Sequence, residues 1–75
     1  MDIYFTNNTL YINIEDRINF TLIHHLQKKL YRILNDYHIS NIEIAINNNT
    51  HYDDSLITYL VSDYKAKYNG HLIVK

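Results

Sequence analysis

The sequence contains no cysteine and no proline, and it has a single glycine, Gly70, in 75 residues. These absences exclude disulfides, thiolate zinc sites and phosphate-binding glycine loops. No apolar run approaches the roughly 20 residues that span a membrane, and the segment Met1–Phe5 lacks the basic start and apolar stretch of a secretory signal. We therefore expect one cytoplasmic domain over residues 1–75, without membrane insertion, that is stabilised by packing or association.

The charges are few and nearly balanced. The sequence has seven Lys and Arg and eight Asp and Glu, which gives a net charge of −1. The densest basic stretch, Lys28, Lys29 and Arg32, lies within one helical pattern and is typical of a solvated helix face rather than of a phosphate-binding track. Nucleic acid is therefore not predicted as a partner. The composition, 47% hydrophobic and 20% charged, is that of a folded globular protein.

Two short stretches near the amino terminus alternate apolar residues with other residues, which is the pattern of half-buried strands. Asn7 and Asn8 stand between them. Because asparagine tolerates positive φ, this pair favours a tight hairpin turn. The alternating apolar residues are Ile3, Phe5, Leu10, Ile12 and Ile14. The chain is thus predicted to open with a β-hairpin.

Helical spacing begins at Asn19 and predicts an amphipathic helix of about four to five turns, capped by Asn19 or Thr21. A second helix is predicted from about Asp54, with Asp53 as its cap and Gly70 as the left-handed residue that ends it. The predicted buried faces are Leu22, Leu26, Leu30, Ile33, Leu34 and Tyr37 in the first helix, and Ile57, Leu60, Val61, Tyr64 and Tyr68 in the second.

Residues 42–46 alternate again, and residues 71–75 have the composition of a final strand, so the predicted order is β-β-α-β-α-β. Strands joined through helices should be parallel, with right-handed crossovers. Because the strands alternate, one sheet face should be open and both helices should cover the other. The predicted fold is a two-layer α/β domain with a four-stranded mixed sheet, whose open face carries Tyr4, Tyr11, Asn13 and Glu43.

The polar residues provide little basis for catalysis. His24 and His25 are adjacent on a helix and diverge by about 100°, so they cannot face one metal together. His51 near Asp53 and Asp54 could bind a metal or move a proton, but no further ligand follows at a recognised spacing. Ser55 lacks the flanking glycines of a nucleophile elbow. We predict no catalytic residue, no metal site and no cofactor.

The passage from residue 44 to residue 57 combines a strand, a loop and a helix start. An apolar strand, Ile44 to Ile46, is followed by a polar loop with Thr50 near its end, and the predicted helix start then reads Asp-Asp-Ser-Leu-Ile. This passage resembles the STAS family, which includes anti-sigma factor antagonists and whose signature at the helix start is Asp-Ser-Ser-Gly-Leu. The preceding hairpin and helix match in order and length, so the resemblance covers nearly the whole chain.

Two registers of this match differ in the residue at the position that switchable family members phosphorylate. Without a shift, Asp53 falls on the motif aspartate, Asp54 on the phosphorylated serine and Ile57 on the apolar position. With a one-residue shift, Ser55 takes the phosphorylated position instead. An aspartate there would carry permanent negative charge, whereas a serine could be switched by phosphate.

The resemblance implies a non-enzymatic regulatory module that docks a protein partner such as an anti-sigma kinase. The alternative that it implies is a small accessory subunit of a transporter, which docks the ATPase of that transporter. The implied docking surface is the loop and helix start around residues 50–57. Family members usually continue through a further helix, strand and helix, so this chain would be a minimal or truncated member with apolar surface left uncovered near its final strand. The implied site residues are Thr50, His51, Asp53, Asp54, Ser55 and Ile57.

Two other functions are compatible with the sequence. A small acid-base or metal-dependent enzyme would need His51, Asp53 and Asp54 to converge in a pocket. A structural assembly protein would form homo-oligomers through its open sheet face and edge strands.

Overall fold

The computed structural model describes residues 1–46 and 54–75. It confirms the predicted α/β class, the element order and the four-stranded mixed sheet. The elements are β1 (Asp2–Thr6), β2 (Thr9–Ile14), α1 (Phe20–Asp36), β3 (Asn41–Ile46), α2 (Asp54–Lys67) and β4 (His71–Val74).

The hairpin between β1 and β2 is formed as predicted by its two asparagines. Asn7 has φ 50° and Asn8 has φ 61°. Positive φ at both central residues is the requirement of the type I′ turn, whose twist matches that of the flanking strands. The turn places Thr6 opposite Thr9 and so fixes the register of the whole hairpin.

The strands lie in the order β1-β2-β3-β4, so each connection moves to the adjacent strand in one direction. β1 and β2 are antiparallel, whereas β2, β3 and β4 are mutually parallel. Tyr4, Tyr11, Glu43 and Ile73 form one row across the sheet on its open face. There the Tyr4 and Tyr11 rings stack with centroids 5.0 Å apart, and the Lys75 amine lies 3.2 Å from a Glu43 carboxylate oxygen.

The opposite face of the sheet packs against both helices around one apolar core. Alternate residues of β2 and β3 are fully buried there, because each strand has one face toward the helices. The most buried core residues are Leu10, Ile12, Ile14, Ile23, Leu26, Leu30, Ile42, Ile44, Leu60 and Tyr64.

The buried face of α1 is wider than the predicted one. Leu26 and Leu30 are buried as expected, and Ile23 and Gln27 are buried beside them. The other predicted helical residues, Leu22, Ile33 and Leu34, pack against the core and are partly buried. Tyr37 was wrongly predicted to be buried, since its side chain is 64% exposed. The helix ends at Asp36, and Tyr37 has an extended conformation, with φ −134° and ψ 144°, that turns it off the helical stripe.

The amino-terminal cap of α1 is Asn19, one of the two predicted residues. Its side-chain oxygen accepts a hydrogen bond of 2.8 Å from the backbone N–H of Leu22. Thr21 lies inside the helix. The cap satisfies one of the amide groups that the first helical turn leaves without an intrahelical partner.

The prediction that Gly70 ends α2 with a left-handed conformation is wrong. α2 ends at Lys67, and Gly70 does not have positive φ. Glycine is needed there because a β-carbon would collide with the Tyr64 hydroxyl and come within 2.9 Å of the Ser40 carbonyl oxygen. Gly70 therefore allows the start of β4 to pack closely against α2.

A polar cluster joins α1 to α2. The Tyr31 hydroxyl and the Gln27 amide both donate to the Asp63 carboxylate, the latter at 3.2 Å, and the Lys67 amine lies 3.3 Å from it. The hydrogen bond from Tyr31 lowers the pKa of Asp63, with Lys67 adding to the effect. Burial, together with Asp63, raises the pKa of the Tyr31 hydroxyl. The cluster thus favours a charged aspartate and a neutral tyrosine.

The lowered pKa of Asp63 gives a pH-dependent contribution to stability. An aspartate whose pKa is lower in the folded state stabilises the fold above its unfolded pKa of about 3.9, and the contribution is lost as pH falls through the folded pKa. We expect Asp63→Asn to be less stable than the parent protein at neutral pH and the difference to shrink below about pH 4. Urea unfolding across pH measures it, with Asp36→Asn as the exposed control. A difference that does not change with pH would contradict this account.

Candidate functional site

The start of α2 presents two of the site residues implied by the resemblance. Asp54 is the first residue of the helix, and both Asp54 and Ser55 are exposed. Ile57 is only 8% exposed and packs into the core, so its side chain anchors the helix to the sheet and does not form part of the outer surface. Thr50, His51 and Asp53, with the predicted cap of α2, lie outside the described residues.

The charged residues at the two ends of α2 match the direction of the helix dipole. Asp54 lies in the first turn, where the helix dipole favours negative charge, and Lys65 and Lys67 lie in the last turn, where it favours positive charge. The Asp54 carboxylate can therefore be stabilised by the helix while it remains accessible to solvent. Such a group can accept charge-assisted hydrogen bonds from lysine or arginine side chains.

The same end of the sheet carries further charges. β2 ends at Ile14, opposite the last residue of β3, and is followed by Glu15, Asp16 and Arg17, which are all exposed. The Met1 amino group lies 3.0 Å from an Asp16 carboxylate oxygen, and this hydrogen bond raises the pKa of the amino group. This surface therefore has charges of both signs and an exposed carboxylate at the helix start.

A cleft at the other end of the parallel strands was not predicted from the sequence. Its volume is about 320 Å³, and it is lined in part by His38 and His71, which are both exposed. Residues from the carboxyl-terminal parts of both helices, from the connections that follow them and from the start of β4 form it, so no continuous sequence motif marks it. Its polar and aromatic lining includes Tyr37, His38, Ser40, Tyr64, Tyr68 and His71. Within residues 1–46 and 54–75, no group of three or more His, Cys, Asp or Glu could hold a metal ion.

A second, apolar groove lies beside the edge strand β1 and was also missed. Its volume is about 230 Å³, and it is bounded by β1 and the carboxyl-terminal part of α1. Alternation placed Phe5 among the inward residues, but at the sheet edge its side chain is 49% exposed. The groove is lined by Ile3, Tyr4, Phe5, Leu10, Ile33, Tyr37 and Ile39.

No family model, curated protein or solved structure matches this chain. The relation to the STAS family therefore rests on the sequence resemblance alone. In the described parts of the chain, neither helix has the length and apolar character needed to cross a membrane.

Proposed function

We propose that this chain is a non-enzymatic, cytoplasmic protein-binding module of the STAS type that docks a partner through the start of α2. The observation that carries the proposal is the arrangement of the first two turns of the helix. Asp54 and Ser55 face solvent, whereas Ile57 and Leu60 are buried against the sheet. The exposed pair is thus held on a helix that is anchored in the core, so this chain presents the two side chains to a partner on a rigid element.

The chemistry of the helix start suits a partner with basic side chains. Asp54 offers a permanent carboxylate, so docking through it would be constitutive. If Ser55 instead takes the phosphorylated position of the family, phosphate would add about −1.5 to −2 charges and alter docking. By resemblance, an anti-sigma kinase is the first candidate partner, and the ATPase subunit of a transporter is the alternative.

Capture of partners from the source cytoplasm by the immobilised chain tests this proposal. We expect a protein that is retained by the parent chain and lost with Asp54→Lys, because the substitution reverses the charge that the partner would contact. Because Lys places positive charge where the helix dipole favours negative charge, fold stability should fall by roughly 0.6–2 kcal/mol, and thermal unfolding verifies that the variant is still folded. Calorimetry on the purified pair then gives the affinity ratio between the parent and variant chains.

Three further variants complete the design. Lys29→Glu changes an exposed charge on α1, outside the proposed surface, and should leave binding unchanged. Ser55→Ala and Ser55→Glu distinguish the two registers, because only a switch at Ser55 should make the glutamate variant differ strongly from the alanine variant. Unchanged affinity in all variants at Asp54 and Ser55 would exclude the start of α2 as the docking surface.

A further inference from the structure

The edge strand β1 has main-chain groups that face away from the sheet. The backbone N–H of Asn41 donates to the carbonyl of Asn8 at 3.3 Å, so the even-numbered residues of β2 direct their backbone groups toward β3. Thr9, Tyr11 and Asn13 therefore direct theirs toward β1, where they pair with Thr6, Tyr4 and Asp2. It follows that the N–H and C=O groups of Ile3 and Phe5 point to the free edge.

We propose that β1 pairs in the antiparallel direction with β1 of a second copy of this chain, forming a continuous eight-stranded sheet. Ile3 and Phe5 supply outward N–H and C=O groups two residues apart, so a twofold axis at Tyr4 would place Ile3 of each copy opposite Phe5 of the other. Both pairs would exchange two hydrogen bonds, because they are the outward-facing residues of each strand. The interface would be isologous, as in most homodimers.

The side chains support this register on both faces of the sheet. On the open face, Tyr4 already stacks on Tyr11, and the twofold axis would bring the Tyr4 rings of the two copies side by side. On the helix face, Ile3 of the partner copy would lie next to Phe5, at the mouth of the apolar groove that Ile33 and Tyr37 also line. Pairing therefore continues an aromatic row and covers an apolar groove.

The charges of β1 and of the whole chain favour a second copy as the pairing partner of β1. The strand Asp2–Thr6 carries one charged side chain, Asp2, and the proposed register places it opposite the neutral Thr6 of the partner copy. The net charge of −1 per chain adds little long-range repulsion between copies. β1 also lacks the lysine, proline or bulge with which edge strands usually prevent such pairing.

The exposed apolar area indicates a weak dimer. Tyr4, Phe5 and Tyr37 are 51%, 49% and 64% exposed. Since an aromatic side chain buries about 150–250 Å² when fully covered, the three could bury roughly 250–400 Å² per copy. Stable dimers usually bury about 800 Å² per partner, so we expect monomers at micromolar concentration and dimers toward millimolar concentration.

Cysteine trapping tests the register directly, because the chain has no cysteine of its own. At the twofold axis, the two Tyr4 residues form a non-hydrogen-bonded pair with Cα atoms about 4.5 Å apart, which a disulfide can bridge. The matched control is Thr6→Cys, whose copies would lie about 14 Å apart, four residues along the strand. Under mild oxidation at millimolar concentration, Tyr4→Cys should form covalent dimers at least about tenfold faster than Thr6→Cys, a ratio that corresponds to ~1.4 kcal/mol. Equal rates, or no dimer from Tyr4→Cys, would overturn the proposal.

Sedimentation of cysteine-free variants tests which edge is used. Phe5→Lys places a charge at the groove and should abolish the concentration-dependent dimer. Ile73→Lys is the matched control, because Ile73 is 51% exposed on the opposite edge strand, β4. It should leave the dimer intact. A dimer that is lost with Ile73→Lys and kept with Phe5→Lys, or a parent chain that stays monomeric at millimolar concentration, would overturn the proposal. Partner binding by the Asp54 variants does not depend on the dimer, so each of the two proposals can fail without the other.

Discussion

Replacing Leu60 with alanine is expected to lower the free energy of unfolding by about 2–5 kcal/mol, and Leu26→Ala by a similar amount. Both side chains are fully buried, one on each helix, in the core between the helices and the sheet. Truncation removes their transfer free energy and leaves a cavity that the surrounding residues fill only in part. Domain stabilities are typically about 5–15 kcal/mol, and a domain of 75 residues is expected near the low end. Either variant could therefore unfold a large share of the molecules.

Urea unfolding followed by circular dichroism measures this loss. Leu22→Ala is the matched control, because Leu22 lies on α1 but is only half-buried, and it should cost clearly less. An equal cost for Leu22→Ala and Leu26→Ala would contradict the burial pattern of α1, in which Leu26 is fully buried in the core and Leu22 is only partly buried.

Gly70→Ala is expected to destabilise the fold by about 1–3 kcal/mol, the usual cost of overpacking. The added methyl would meet the Tyr64 hydroxyl and the Ser40 carbonyl oxygen. Tyr64 is fully buried and cannot move aside without disturbing the core. The effect does not come from the backbone, since Gly70 has no positive φ.

A double-mutant cycle identifies the cause. Tyr64→Phe removes the hydroxyl that the alanine methyl would strike, so Gly70→Ala should cost less in that background than in the parent chain. Equal costs in the two backgrounds would show that the Tyr64 hydroxyl is not the obstacle. Chemical denaturation of the four proteins provides the comparison.

Much of the fold was predictable because its determinants are local. The alternation in Leu10, Ile12 and Ile14 predicted the buried face of β2, and the Asn7–Asn8 pair predicted the hairpin turn. Asn19 was one of two predicted caps and makes the capping hydrogen bond. Each of these signals depends on residues within a few positions of each other, so a single sequence contains it.

The incorrect predictions concern residues whose environment is set by distant parts of the chain. Gly70 follows a helix, which suggested a helix-ending role, but its requirement comes from Tyr64 and Ser40 in other elements. Tyr37 continues the helical spacing of α1 in sequence, yet the helix has already ended. Phe5 alternates like an inward residue but lies on an edge strand that leaves it half exposed.

The candidate site was predictable only through its position at a strand-to-helix connection. Asp54 and Ser55 were expected at a helix start and are exposed there, whereas Ile57 contributes to the buried face that was also predicted for it. The apolar groove had no sequence signal, because β1 and α1 meet there only through the tertiary fold. Its proposed role in pairing two copies therefore depends on the structure.

Amide chemical-shift mapping tests the docking proposal most directly. The isotope-labelled chain would be titrated with the captured partner, and the shift of each backbone amide followed by NMR. We expect the largest changes at Asp54 and Ser55, and small changes at Ile3 and Phe5, because the proposed docking surface and the β1 edge involve different elements. Changes confined to β1 and the groove at Tyr37, with the start of α2 unaffected, would contradict the proposal that the partner docks on α2.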